Sequence, residues 1–380
     1  MKNGRAVSII SDMSSPQVAQ DLAAFEIHAC GPSDRAEQVR LFNACFKKAI
    51  DIAGLVWRYD ENPVGAAISL LARPAGKDGV SGYACNPRLA TTRGESAAVI
   101  GETGDVMTHP DWRKRGIFSE LDRAAMARAK EQGWPLVFGL PNRRSAHIFL
   151  ELGWERVGTL RPFTCVLADV AAARSERAKE GRLAGWTTGF ALRRSRRARA
   201  RASVIAAGHV LRAIEQGFPA ATDELSRTVE KRFAFMVRRD KAYLDWRFLS
   251  GPARLHRAFE VRDAAGAFAG YCVVQLPRPG SVVGFLVDVL ARDDAAFAAA
   301  IQGGIEALEQ GGAALVQATA IDGSWWEAQL RAHGFLAPKR ENFLTIILHV
   351  HDAAHPLAAA ARDPRSWYFT DGDRDDETMG

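Results

Sequence analysis

Cysteine is scarce: five residues among 380 (Cys30, Cys45, Cys85, Cys165 and Cys272), an odd number, with none in a CxxC pair. Neither a disulfide framework nor a zinc ribbon is indicated, and the five read as small core residues of a reducing compartment. Long apolar runs are missing as well. None approaches the ~18 residues that would cross a bilayer. The stretch Met1 to Phe25 has no apolar segment of the secretory kind, so a cytoplasmic setting is expected. Apolar material in general is not lacking. With 47% hydrophobic residues, nine Trp and nineteen Phe, wholesale disorder is excluded and there is enough for two cores. The length suits two domains.

The net charge of +6 is unevenly placed. Between Ala171 and Arg212, eleven Arg and Lys face only Glu176 and Glu180. This basic run reads as a helical connector between two patterned regions. It is either a solvated face or a dock for an acidic acyl carrier protein or an anionic membrane surface, the latter extending the expected location to the inner face of a membrane. No nucleic-acid partner is expected. From Trp367 the chain turns acidic (Asp371, Asp373, Asp375, Asp376, Glu377).

Self-comparison reveals a duplication. Trp57-Arg58-Tyr59 with Pro63 is answered by Trp246-Arg247-Phe248 with Pro252, and Gly82-Tyr83 by Gly270-Tyr271. Asp105-Val106-Met107 returns as Asp288-Val289-Leu290, Gly133 as Gly311, and Gly153-Trp154 as Gly334-Phe335. The pairs keep their order, and between Asp105/Asp288 and Gly133/Gly311 the second copy loses five residues. The expected layout is a tail (1–22), a first α/β domain (23–168), the basic helical connector (169–225), a degenerate second copy (226–350) and an acidic C-terminal tail (351–380).

The five missing residues fall where the first copy has a basic turn. There a strand closes at Pro110, three cations (Arg113, Lys114, Arg115) lead into Gly116, and a helix begins near Ile117, with Phe118, Leu121, Ala125 and Ala129 at helical spacing. A helix N-terminus offers unpaired N–H groups and a positive dipole end, a seat for a pyrophosphate. Gly116 would let the backbone come close. The second copy offers Ala291-Arg292-Asp293-Asp294, acidic and without glycine, and is expected to bind no phosphate.

This run resembles the signature of the GNAT superfamily of acyl-CoA-dependent N-acyltransferases, Gln/Arg-x-x-Gly-x-Gly/Ala. Arg113 and Gly116 match it; Phe118 stands where Gly or Ala is usual. The strand Leu136 to Leu140, then Asn142, a helix with Ser145 and Phe149, and Gly153-Trp154 continue the likeness. The resemblance implies a mixed α/β (α+β) fold: two GNAT-like domains, each a mixed, mainly antiparallel sheet flanked by helices, with the second copy structural or shaping the acceptor site. It implies acetyl-CoA, or another acyl-CoA, as co-substrate. Val106, Met107 and Thr108 would pair with the pantetheine arm. Arg113, Lys114, Arg115, Gly116, Ile117, Phe118 and Ser119 would hold the pyrophosphate, and Asn142 and Ser145 would contact the arm near the acyl group.

Acyl transfer to an amine needs a proton acceptor and stabilisation of the thioester oxyanion. Asp105 and Glu102, on or just before the central strand, are the candidate bases. Asp288 repeats Asp105 in the copy without a phosphate turn, which argues for a structural role. Family members often supply a tyrosine to the leaving thiolate, but the position here is Phe149, which has no proton to give. His349 and His351 share a strand face with His355 nearby, and this cluster reads as a polar strand end rather than a metal site. The expected activity is N-acyl transfer to a primary amine of a small molecule or glycan, with an amino sugar of a polysaccharide as one acceptor. Left open are an acyl-carrier-protein donor, a non-catalytic CoA- or anion-binding or membrane-docking module, and tRNA-dependent aminoacyl transfer.

Overall fold

The protein is described by a computed structural model covering residues 25–142, 145–168, 185–337 and 343–374. The first copy runs β1 (Phe25–Ala29), α1 (Arg35–Cys45), α2 (Ile52–Tyr59), β2 (Ile68–Pro74), β3 (Ser81–Thr92), β4 (Ser96–Thr108), α3 (Ile117–Glu131), β5 (Leu136–Gly139), α4 (Ala146–Glu151) and β6 (Glu155–Val166). The 21-residue helix α5 (Gly185–Ile205) leads to the second copy. There β7 (Val210–Ile214), α6 (Ala221–Glu230), β8 (Phe235–Val237) and α7 (Lys241–Leu244), which runs into a turn of π-helix (Asp245–Leu249), precede β9 (His256–Arg262), β10 (Phe268–Gln275) and β11 (Val283–Ala291). Then follow α8 (Asp294–Gln310), β12 (Leu315–Ile321), α9 (Trp325–Ala332), β13 (Leu344–Val350), α10 (Pro356–Ala361) and β14 (Trp367–Tyr368).

The two copies do not keep separate sheets. One path of hydrogen bonds runs β1-β2-β3-β4-β5-β13-β6-β12-β11-β10-β9-β7. Strand β13 of the second copy lies antiparallel to β5 of the first, with Val350 opposite Leu136, and β6 of the first lies antiparallel to β12 of the second, with Val166 opposite Leu315. Each copy has therefore handed its last strand to the other, and the two exchanged strands pair at the centre. Read from both ends, the order is a pseudo-twofold: β1 matches β7, β4 matches β11, β5 matches β12.

Two sequence boundaries change. The segment read as helical connector ends earlier, because Val210–Ile214 is the edge strand of the second copy, paired with β9 along its length. Apolar alternation there is weak because the strand is exposed, so the sequence hides it. Of the basic run, residues 171–184 lie outside the described residues. Its described helix turns Ser195 and Ala202 inward, Ser195 Oγ donating to the Gly334 carbonyl at 2.7 Å, while Arg193, Arg194, Arg197 and Arg201 are exposed.

The acidic tail is also no tail as far as Arg374. β14 pairs with β8, Asp371 and Asp373 are buried at 2% and 1% exposure, and only Asp375, Asp376 and Glu377 lie outside the described residues. Burial of these acids is tolerable because each is met by donors. Arg239 Nη2 reaches Asp373 at 2.6 Å, and Thr319 N donates to Asp371 at 2.6 Å.

Candidate active site

The tandem sheet opens at two symmetry-related places. β4 pairs with β5 only over Gly101–Thr103 and then runs on to Thr108 with that edge unpaired to β5. β11 does the same against β12, pairing over Val283–Phe285 and continuing to Ala291. Open strand edges expose backbone N–H and C=O groups to any extended amide chain that enters.

In the first copy this opening is a cleft of about 1490 Å³. Val106, Met107 and Thr108 form its β4 wall, and Arg113, Lys114, Arg115, Gly116, Ile117, Phe118 and Ser119 its head, and Asn142 and Ser145 also line it. Gly116 caps α3 in the left-handed region at φ 75°, a conformation that costs other L-residues about 1–2 kcal/mol. Arg113 Nε donates to the Thr108 carbonyl at 3.2 Å, and Arg115 lies 4.8 Å over the Trp112 ring. Phe118, the departure from the family signature, packs its ring edge-on to Phe149 at 5.1 Å. Cationic side chains, an αL glycine and a helix head together suit a pyrophosphate.

The second opening is closed by the chain itself. Tyr368 OH donates to the Val289 carbonyl on β11, Asp371 accepts from Thr319 on β12, and Thr370 Oγ1 donates to Asp288 at 2.6 Å. The C-terminal segment thus spans the gap where an extended ligand arm would lie in the first copy. At the head of α8, Asp293 accepts from Ala296 N at 2.9 Å, so the helix's anion seat is filled by its own carboxylate.

Of the two candidate bases, one lines the cleft. Asp105 lines the cleft at a bulge in β4, with its backbone at φ 47° where β3 and β4 slip register between Gly82 and Ala84. Its Oδ2 accepts from Arg58 Nη1 and, at 2.8 Å, from Tyr59 OH. Burial raises the Tyr59 phenol well above its ordinary value, so it stays a neutral donor. Glu102 is not among the cleft-lining residues. It is 1% exposed and held by Arg88 Nη2 at 2.5 Å, an interior ion pair. Its neighbour Thr103 takes the cleft face instead, as strand alternation requires.

Asp288, the repeat of Asp105, is tied to Arg239, Thr370 and Tyr271 in the plugged cleft. The His349 and His351 rings lie tilted to each other with centroids 4.9 Å apart, and His355 caps α10 by accepting from Leu357 N at 3.2 Å. Among the described residues no group of three metal-ligating side chains occurs.

In the sequence Arg58, Tyr59 and Arg247 stand out only as repeat markers. All three belong to the site region, and the repeat itself was the signal: it marks the junction of the copies. The second copy also supplies a wall of the cleft, from Arg247 to Phe248 and from Gly251 to His256.

Residues 26–157 match the family described as acetyltransferase (GNAT) domain. Over that stretch the chain is similar to GNAT acetyltransferase domains. Solved structures share the fold over most of its length. A probable N-acyltransferase from Enterococcus faecalis V583 is 12% identical, with a TM-score of 0.58 over 86% of this chain and 73% of that one. A GCN5-related N-acetyltransferase from Kribbella flavida is 15% identical, with a TM-score of 0.56 over 87% and 73%. A tandem GNAT protein from the clavulanic acid biosynthesis pathway is 15% identical, with a TM-score of 0.53 over 86% and 98%. No curated protein matches the chain by sequence. Among the described residues no helix is long and apolar enough to cross a membrane.

Proposed function

We propose that this tandem GNAT protein transfers an acyl group, most simply acetyl, from acyl-CoA to a primary amine, using only its first copy as donor site. An amino sugar is the first acceptor class to try. The observation that carries this reading is the contrast between two equivalent openings. Among the described residues one is open, with an αL glycine and three cations at its helix head; the other is filled by the chain's own strap and by Asp293.

In this reading the loop Arg113 to Ser119 binds the pyrophosphate, and the open edge of β4 at Val106 to Thr108 orients the pantetheine arm toward Asn142. The amine nitrogen bonds to the thioester carbonyl carbon and the C–S bond breaks. Asp105, steadied by Arg58 and Tyr59, takes the proton lost by the amine. Phe149 offers no proton, so the leaving thiolate takes one from water in the open cleft. The test is the double variant Arg113→Glu/Arg115→Glu. It should weaken acetyl-CoA binding at least tenfold with the fold intact; unchanged affinity would sink the assignment.

A further inference from the structure

We propose that the acceptor is an amine carrying an anionic group, a carboxylate or a phosphate, and that Arg254 of the second copy receives that group. This rests on the donor assignment above and deepens it.

Charge is the first observation. Eight Lys or Arg side chains line the cleft against two carboxylates, Asp51 and Asp105. Both carboxylates already have partners within the protein. Asp51 caps α2 by accepting from Gly54 N at 2.8 Å, and Asp105 is held by Arg58 and Tyr59. The phosphates of an acyl-CoA would neutralise about four of the cations, leaving the rest of the cleft positive. A plain ammonium would be repelled from such a cleft, whereas an amine bearing a negative group is drawn in. The same field disfavours the ammonium form once the acceptor is bound, so it helps to present the neutral nitrogen that acyl transfer requires.

Place is the second observation. The wall supplied by the second copy begins at the junction, where Gly251 lies against the Trp57 indole, one residue before Arg58. It is therefore next to the Asp105 end of the cleft rather than confined to the helix head. His256 on this wall is driven down to about 3 by burial and by the Arg247 charge, so the imidazole is neutral and adds no negative partner.

The third observation is Arg254 itself. It sits at φ 41°, left-handed backbone that non-glycine residues avoid, in a turn closed by its own N–H on the Gly251 carbonyl at 3.1 Å. The side chain is exposed at the cleft and no acid is paired with it among the described residues. A strained backbone that aims an unneutralised cation into a cleft is a common device of ligand clamps.

The experiment is calorimetry on the full chain saturated with CoA, titrated with two matched pairs: glucosamine 6-phosphate against glucosamine, and phenylalanine against phenethylamine. Turnover of each with acetyl-CoA is followed by thiol release. In at least one pair the anionic member should bind at least tenfold more tightly. Arg254→Glu should erase the preference and Arg254→Lys keep part of it, both with acetyl-CoA affinity within twofold of the parent. Equal or better binding of the uncharged partner in both pairs, no binding of either anionic member, or a preference that survives Arg254→Glu overturns the inference. Failure of acetyl-CoA itself to bind would instead overturn the donor assignment.

Discussion

Trp57 and Trp246 bind each other reciprocally: the indole N–H of each donates to the main-chain carbonyl of the other at 2.9 Å, and the rings stack with centroids 5.1 Å apart. A pair of identical bonds running in opposite directions is what a two-fold axis produces. This pair marks the axis that relates the two copies, beside Arg58 of the active cleft. Removing either indole should therefore loosen the junction. Trp57→Phe and Trp246→Phe should each cost about 1–3 kcal/mol, from a lost buried hydrogen bond and lost packing. Because the bonds share one stack, urea unfolding should show the double variant to be non-additive by at least about 0.5 kcal/mol. Additive losses would mean that the two indoles act independently.

The strap that plugs the second opening should be held by its buried charges. Arg239 joins Asp288 at 3.2 Å and Asp373 at 2.6 Å, all three nearly inaccessible. Arg239→Met strands two buried carboxylates and should destabilise the protein by about 3–5 kcal/mol in urea unfolding. A loss below about 1 kcal/mol would show that the strap is not packed as described.

Asp105 and Glu102 should separate cleanly. With Asp105→Asn, kcat should fall about 10²–10⁴-fold, since general base catalysis is worth that much, while acetyl-CoA affinity stays. Glu102→Gln should leave kcat nearly unchanged and lower stability, because Arg88 is then buried without its charge partner. An Asp105→Asn enzyme of normal kcat would give Asp105 the structural role that Asp288 has.

Acid should weaken the fold through a buried histidine. His333, 4% exposed, accepts from Gln302 Nε2 at 2.8 Å, and burial lowers it to about 4. With the folded value below the unfolded one of about 6.5, its contribution is fully present above pH 6.5 and is lost as pH falls toward 4. The slope is at most about 1.4 kcal/mol per pH unit for one such group. Burial pushes Asp122 the other way, so the comparison is between parent and His333→Gln: the variant should lose less stability between pH 7 and pH 4.5. Identical pH profiles would contradict the assignment.

Much of this was legible in the residues. Arg113 to Ser119 announced a basic turn at a helix head and the repeats announced two copies, because helix heads and turns write local signals. The strand exchange left no trace, since β6 and β13 show the same apolar pattern whichever copy they join. Asp371 and Asp373 looked solvated because their partners, Thr319 and Arg239, lie 52 and 134 residues away. Glu102 looked catalytic by its position on β4, and only the pairing with Arg88 removes it.

The most direct test of the central claim, one working donor site in a two-copy chain, is calorimetric titration of the purified protein with acetyl-CoA. One site per chain, abolished by Arg113→Glu/Arg115→Glu, is the expected result. Two sites per chain would mean that the strap does not close the second opening, and no binding at all would contradict the account at its root.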